Sequence, residues 1–372
     1  MVTDLAETYD RLWSPVLATV RADALDCVQA NLAVVADRHG GAGTHLALGA
    51  PLRFDTEPGP DGAPRVAASV PYRLAAAAEL LGLRVARRWD GVGGDRLRAL
   101  VAETGPLYVL ADAYHLAWTP YAGRRHTEHT FILSTPDTVV DAYHDETPWG
   151  SCRPGVWRVS PADLAAVPPT ATALLLVTEP VAGTPDVLTA NARAMADAVP
   201  DIDAYLQADR ADGADVVLDI WLLGRARLLH GAWLARHDRP SPEVEAHAQA
   251  WLTLAARSFV AWRRSRTGAL PAVVRDDLGR LLHEDVAIAG RLAARHAVRA
   301  AVVAAIQDVL PAGETVAGAL RDLPGYNSFR LVEIIEKAEQ RLGVTLDEED
   351  LTPQALRDVD SLCAAFTRRS VG

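Results

Sequence analysis

One stretch constrains this chain more than any other. Residues 325–366 read GYNSFRLVEIIEKAEQRLGVTLDEEDLTPQALRDVDSLCAAF. Ser328 stands where a helix begins, and Leu331, Ile335, Ala338 and Leu342 follow at helical spacing. Gly343 then supplies a stop. Glu333, Glu336 and Glu339 fall on the opposite, solvent-facing side. A loop leads to Asp347–Leu351, and a last helix after Pro353 carries Leu356, Val359 and Leu362. Short helices with one apolar stripe each bury it only against one another. The pattern therefore predicts a small all-α four-helix domain over residues 297–372.

Two further segments precede it. Residues 1–150 mix helical and strand patterns. Cys27–Arg38 has Val28, Leu32 and Val35 at helical spacing, and Gly40–Gly41 end the run. Residues 106–113 and 130–133 read as short strands. Residues 138–142 read as the next strand of a hairpin, with Ser134–Asp137 as its turn. Residues 151–296 are mainly helical, with long patterns over Val216–His237 and Glu243–Arg264. Trp221, Trp233, Trp251 and Trp262 on them are expected to be core residues. Arg225 and Arg227 are expected on a solvated or ion-paired face. The punctuation falls at Pro168–Pro169 and Pro311–Gly313. Gly91–Gly94 does not read as a nucleotide loop, because no strand–helix frame with a following lysine is expected there.

Composition narrows the function. At 372 residues the chain has room for two or three domains. Its formal net charge of -11 argues against nucleic-acid binding, which needs clustered Lys and Arg, and the one lysine is Lys337. The N-terminus MVTDLAETYD is acidic and no apolar signal core follows it. No apolar stretch is long enough to span a bilayer. Three scattered cysteines are not a disulfide framework. The expectation is a cytoplasmic protein with no membrane partner.

Cys27, His129 and Asp141 are the residues with chemistry. Cys27 falls in the first turn of its helix, where the dipole favours a thiolate and a backbone amide can hold an oxyanion. The plainer reading of Cys27 is a small buried apolar residue. His129 opens one strand and Asp141 ends the next, so a tight hairpin brings them side by side. An imidazole there can bridge thiol and carboxylate as base between nucleophile and orienter. His126 is an alternative base, and Asp145 an alternative to Asp141. A metal site from His126, Glu128, His129 and His144 is not expected: the spacing is not that of a helical zinc motif, and no cysteine pair completes it. Cys363 reads as core, and Cys152 as an uninterpreted loop residue.

Two resemblances organise these residues. Residues 297–372 resemble the acyl and peptidyl carrier protein family, through Ser328, Leu331–Val332–Glu333 and Gly343–Val344. The family usually has Asp-Ser-Leu where this chain has Asn327–Ser328–Phe329. Residues 20–290 resemble the butirosin biosynthesis protein H family, which is related to papain-like peptidases that cleave leader peptides. The likeness rests on Cys27, Gly40, Leu48–Gly49, Phe54, Leu81–Gly82, Ala111–Tyr114, Pro120–Tyr121, His129 and Asp141.

Together the resemblances imply a papain-like α+β catalytic domain (1–150), a helical region of the same family (151–296) and a carrier domain (297–372). They imply a 4'-phosphopantetheine arm on Ser328, fitted by a phosphopantetheinyl transferase. An acyl-loading enzyme or an upstream carrier protein would charge it. A Cys27–His129–Asp141 triad would then pass the acyl or aminoacyl group to a small-molecule amine in natural-product biosynthesis. The peptidase relatives place a glutamine where this chain has Arg21, leaving Gln29 and Asn31 as polar oxyanion candidates. The other readings are a non-catalytic carrier and docking protein, and a hydrolytic thioesterase.

Overall fold

Strand pairing sets the frame. Six strands form one antiparallel sheet in the order Leu83–Val92, Ala171–Thr178, Leu107–Asp112, Glu128–Thr135, Thr138–Asp141, Gly155–Arg158. The computed structural model describes residues 7–181, 186–208, 213–237, 239–310 and 316–371. Residues 1–6 of the acidic N-terminus and the Pro311–Gly313 turn lie outside these residues. The fold is mixed α+β, and no described helix is long and apolar enough to cross a membrane.

Period-two alternation along the strands feeds two cores. Tyr108, Leu110, Ile132 and Val140 join a cluster with Leu25, Val28, Leu32 and Leu229. Their strand neighbours Leu107, Val109, Phe131, Leu133 and Val139 join another with Leu97, Leu100 and Val101. The helix Cys27–Gly40 thus lies on one face of the sheet, and the helix Gly94–Thr104 supplies the other cluster. The hairpin turn is tighter than the sequence suggests. Only Pro136–Asp137 separate its strands, and the second strand ends at Asp141.

The Gly91–Gly94 segment departs from expectation. It joins the strand Leu83–Val92 directly to the helix Gly94–Thr104. The glycine serves close packing: a Cβ on Gly94 would stand 1.8 Å from the Leu164 carbonyl oxygen.

The chain divides into two compact units. One comprises 1–184 and 200–281, and the other 185–199 and 282–372. The first contains the sheet and the helices Gly213–Arg236 and Pro242–Arg264. Trp233 and Trp251 are core, whereas Trp221 and Trp262 are half-buried. Arg225 and Arg227 are both buried rather than solvated, and Arg225 pairs with Asp145, the ion-paired half of the expectation.

In the second unit, Val298, Val302 and Ile306 pack with Ile334, Ala338, Val359, Leu362 and Phe366. On the helix Ser328–Leu342, Ile335 and Ala338 are buried as the stripe predicts, and Leu331 and Leu342 pack partly buried. Ile334, outside the stripe, is also wholly buried, so the buried arc is wider than the simple spacing implies. Glu339 is half-buried and accepts from the Leu346 amide at 2.8 Å, so it does not simply face out. The last helix starts at Val359, and Leu356 lies in the turn before it.

The helix Gly213–Arg236 reaches the site through a glycine contact. A Cβ on Gly49 would lie 2.5 Å from the Leu229 carbonyl oxygen. Gly49→Ala must therefore push this helix away, at a cost of about 1–3 kcal/mol. Urea denaturation followed by tryptophan fluorescence is expected to show that loss, and an unchanged midpoint would refute the tight approach.

Candidate active site

Cys27 is the first residue of its helix because Asp26 caps it. The Asp26 carboxylate accepts from the Gln29 amide at 2.8 Å, and Gln29 Oε1 accepts from the Asp26 amide at 3.5 Å, forming a capping box. Arg73 also pairs with Asp26 at 2.8 Å. The Cys27 side chain is half-buried. Strand pairing of Ala111 with His129, and of Ile132 with Val140, fixes the other two positions.

The structure brings Cys27, His129 and Asp141 together. His129 Nε2 lies 2.6 Å from Asp141 Oδ2, and both side chains are buried. After Asp141, Cys27 is the next group that favours charge on the His129 ring. Burial works against charge on His129. The charge and hydrogen bond of Asp141, and then Cys27, outweigh it and push the imidazole up to about 10.

Asp141 meets four donors. Oδ2 accepts from His129 and, at 3.3 Å, from Trp118 Nε1. Oδ1 accepts from the Tyr143 amide at 3.0 Å and from Asn31 Nδ2 at 3.2 Å. Buried polar oxygens need partners, and both oxygens of this carboxylate have them. Asn31 does more than point at Asp141. Its Nδ2 donates to the Thr130 carbonyl oxygen at 2.8 Å, and its Oδ1 accepts from the Ala142 amide at 2.9 Å. Thr130 Oγ1 in turn donates to the Cys27 carbonyl at 2.6 Å. Asn31 is thereby a strut between helix and sheet, not a free oxyanion donor. Arg21, at the position expected to matter for the oxyanion, is held by Asp23 at 2.9 Å through two nitrogens.

The alternatives are placed elsewhere. His126 Nδ1 lies 2.5 Å from Asp112 Oδ2. Asp145 accepts from Tyr143 Oη at 3.0 Å and faces Arg225. Cys152 pairs with Asp145 in a two-stranded ribbon, and burial pushes its thiol well up, with Asp141, Asp145 and Cys27 adding to the shift. Burial likewise raises the Cys363 thiol to about 11.

Arg225 is the site residue whose role sequence reasoning missed. Its Nη1 donates to the Ala22 and Leu25 carbonyls at 3.0 and 2.5 Å. Its Nη2 donates to the His144 carbonyl at 2.7 Å, and the guanidinium lies 4.1 Å from the Trp221 ring centre. One cation therefore pins the loop before Cys27 to the loop after Asp141. Trp118 and Asn31 were equally hidden as Asp141 partners, since neither stands near it in sequence.

Ser328 is exposed at the first residue of its helix. Asn327 caps that helix by accepting from the Arg330 amide at 3.0 Å. The amide thus does the capping that an acid would do there. A cavity of about 700 Å³ lies in the sheet-bearing unit, lined by Arg88, Asp112, His126, Glu128 and Thr172 with Leu74, Leu110 and Leu174. Cys27, His129 and Asp141 do not line it. No protein-family model and no curated protein sequence matches the chain.

Arg225→Ala strips partners from three carbonyls and should cost about 2–4 kcal/mol, read by thermal or urea denaturation. Iodoacetamide at pH 6 should label Cys27 but not Cys152 or Cys363, by peptide mapping. The stability His129 draws from its pair is fully present below the ordinary imidazole value of 6.5 and is lost as pH rises through about 10. His129→Ala should slow labelling at pH 6 by about tenfold or more, and equal rates would show that the imidazolium does not activate Cys27.

Proposed function

We propose that this protein is a cysteine-dependent acyltransferase. It moves an acyl or aminoacyl group from a phosphopantetheine thioester to an amine acceptor. The observation that carries this reading is Cys27 at a helix start, with the buried His129–Asp141 pair electrostatically coupled to its thiol. This is the constellation of papain-like enzymes, and the butirosin biosynthesis protein H family is the proposed kin.

Each residue then has a defined task. Cys27 thiolate attacks the thioester carbonyl carbon. The departing thiolate takes a proton from the His129 imidazolium, leaving the acyl group on Cys27 as a thioester. An amine then attacks that carbonyl and gives its proton to His129, and Cys27 leaves as thiolate. Asp141 keeps the imidazole oriented and stabilises its charged form. Thioester exchange is close to thermoneutral, so the first step needs no large driving force, while amide formation makes the second step downhill.

Ser328 suits a phosphopantetheine attachment. Its hydroxyl is exposed, it opens a helix, and the first-turn amides of a helix tolerate a phosphodiester. That group would supply the thiol on which an acyl chain travels. Glu333 and Glu336 are exposed on the same helix, suited to basic partner surfaces. The proposed partners are a phosphopantetheinyl transferase, an enzyme or upstream carrier that loads the arm, and the amine acceptor.

Intact-mass analysis tests both halves. Incubation with coenzyme A and a promiscuous transferase should add one phosphopantetheine to the protein and none to Ser328→Ala. Cys27→Ala should still load but lose acyl transfer to amine by on the order of 10³-fold or more. A loaded Cys27→Ala protein that transfers at the normal rate would remove Cys27 from the mechanism. Acid released at equal rates with and without amine would assign a thioesterase instead.

A further inference from the structure

A second histidine–aspartate grouping lies outside the Cys27 site. Asp112 ends the strand Leu107–Asp112, and a 3₁₀ turn Ala113–His115 follows at once. Asp112 Oδ1 accepts from the Tyr114 amide at 3.0 Å and from the Thr127 amide at 3.1 Å. These two bonds fix the carboxylate and leave Oδ2 turned to His126 Nδ1 at 2.5 Å. His126 is held from its other side by the Tyr114 ring, stacked at 4.1 Å and 11°. One ligand-type atom each from Asp112, His115 and His126 lies within 4.8 Å of the others.

Local chain geometry explains the convergence. The pairing of Asp112 with Glu128 carries the segment just before Glu128 back over the 3₁₀ turn. The turn itself swings His115 round to the same side. Two imidazoles and one carboxylate form an N,N,O donor set, which suits zinc and its first-row neighbours rather than magnesium or calcium. Three protein ligands leave at least one coordination position open. Asp112 and His126 also line the 700 Å³ cavity, so a group bound there could reach the open position.

We propose that Asp112, His115 and His126 bind one divalent first-row transition-metal ion, with zinc the ion the donor set fits best. The ion lies between Asp112 Oδ2 and the two rings and replaces the direct His126–Asp112 hydrogen bond. The fixed Oδ1 makes Asp112 a ligand already in position, and the Tyr114 stack limits the reorientation of His126. This site is independent of the Cys27 chemistry and stands or falls apart from it.

Titration of the untagged full-length protein with zinc, and separately with cobalt(II), tests the proposal. Calorimetry should give one equivalent bound with micromolar or tighter affinity. The cobalt form should show visible bands without a thiolate charge-transfer band. His115→Ala and His126→Ala should each weaken binding by at least about tenfold. Both side chains are at least half-exposed or intermediate, so the fold should persist, and circular dichroism checks this. Cys27→Ser should bind as tightly as the parent chain. Absence of saturable binding would overturn the site. So would binding that survives both histidine substitutions, or that disappears in Cys27→Ser.

Discussion

The buried Asp141 carboxylate is the constraint on which the sheet-bearing unit depends. An ionised carboxylate loses several kcal/mol of hydration on burial unless the protein restores it. Here the restoring groups come from four places: the Cys27 helix through Asn31, the adjacent strand through His129, a loop through Trp118, and the backbone at Tyr143. None of these can be displaced without exposing the charge to an apolar surround. The site and the helix–sheet packing are therefore one cooperative object rather than a catalytic group placed on a finished scaffold.

Arg225 supplies the complementary constraint. A guanidinium buried among carbonyl oxygens is tolerable only because each N–H has an acceptor. Those acceptors sit before Cys27, at Ala22 and Leu25, and after Asp141, at His144. The helix Gly213–Arg236 thus tunes the position of Cys27 from more than 190 residues away along the chain (|i−j| is 203 and 200 for the two bonds to the Cys27 side). Gly49 lets that helix come close enough for the bonds to form.

Legibility followed the range of the interaction. The helix at Cys27 was readable because its apolar spacing and its glycine stop lie within one segment, whereas its Asp26 cap came to light only in the structure. The hairpin joining His129 to Asp141 was readable because a short turn leaves few ways to pair two strands. The stripe of Ile335 and Ala338 was readable for the same local reason. Asn31 was misjudged as an oxyanion candidate because its partners Thr130 and Ala142 are about a hundred residues distant. For Arg225 an ion pair was foreseen but burial was not, because that burial depends on carbonyls contributed by two remote loops. At Gly91–Gly94 the strand–helix join was hidden, because the strand before it is broken in pattern by exposed arginines, but no lysine follows it.

The sequence by itself determined which residue types were available and how far each could reach along its own helix or strand. That is enough for Cys27 at a helix start, His129 and Asp141 on a hairpin, and Ser328 opening an amphipathic helix. Tertiary structure alone decided that the Cys27 helix meets the hairpin, that Trp118 and Asn31 complete the carboxylate, and that His126 turns to Asp112. The reason is physical. Periodicity and capping are set by neighbours a few residues apart, whereas the partners of a buried charge are chosen by whichever donors the packed chain brings within about 3 Å.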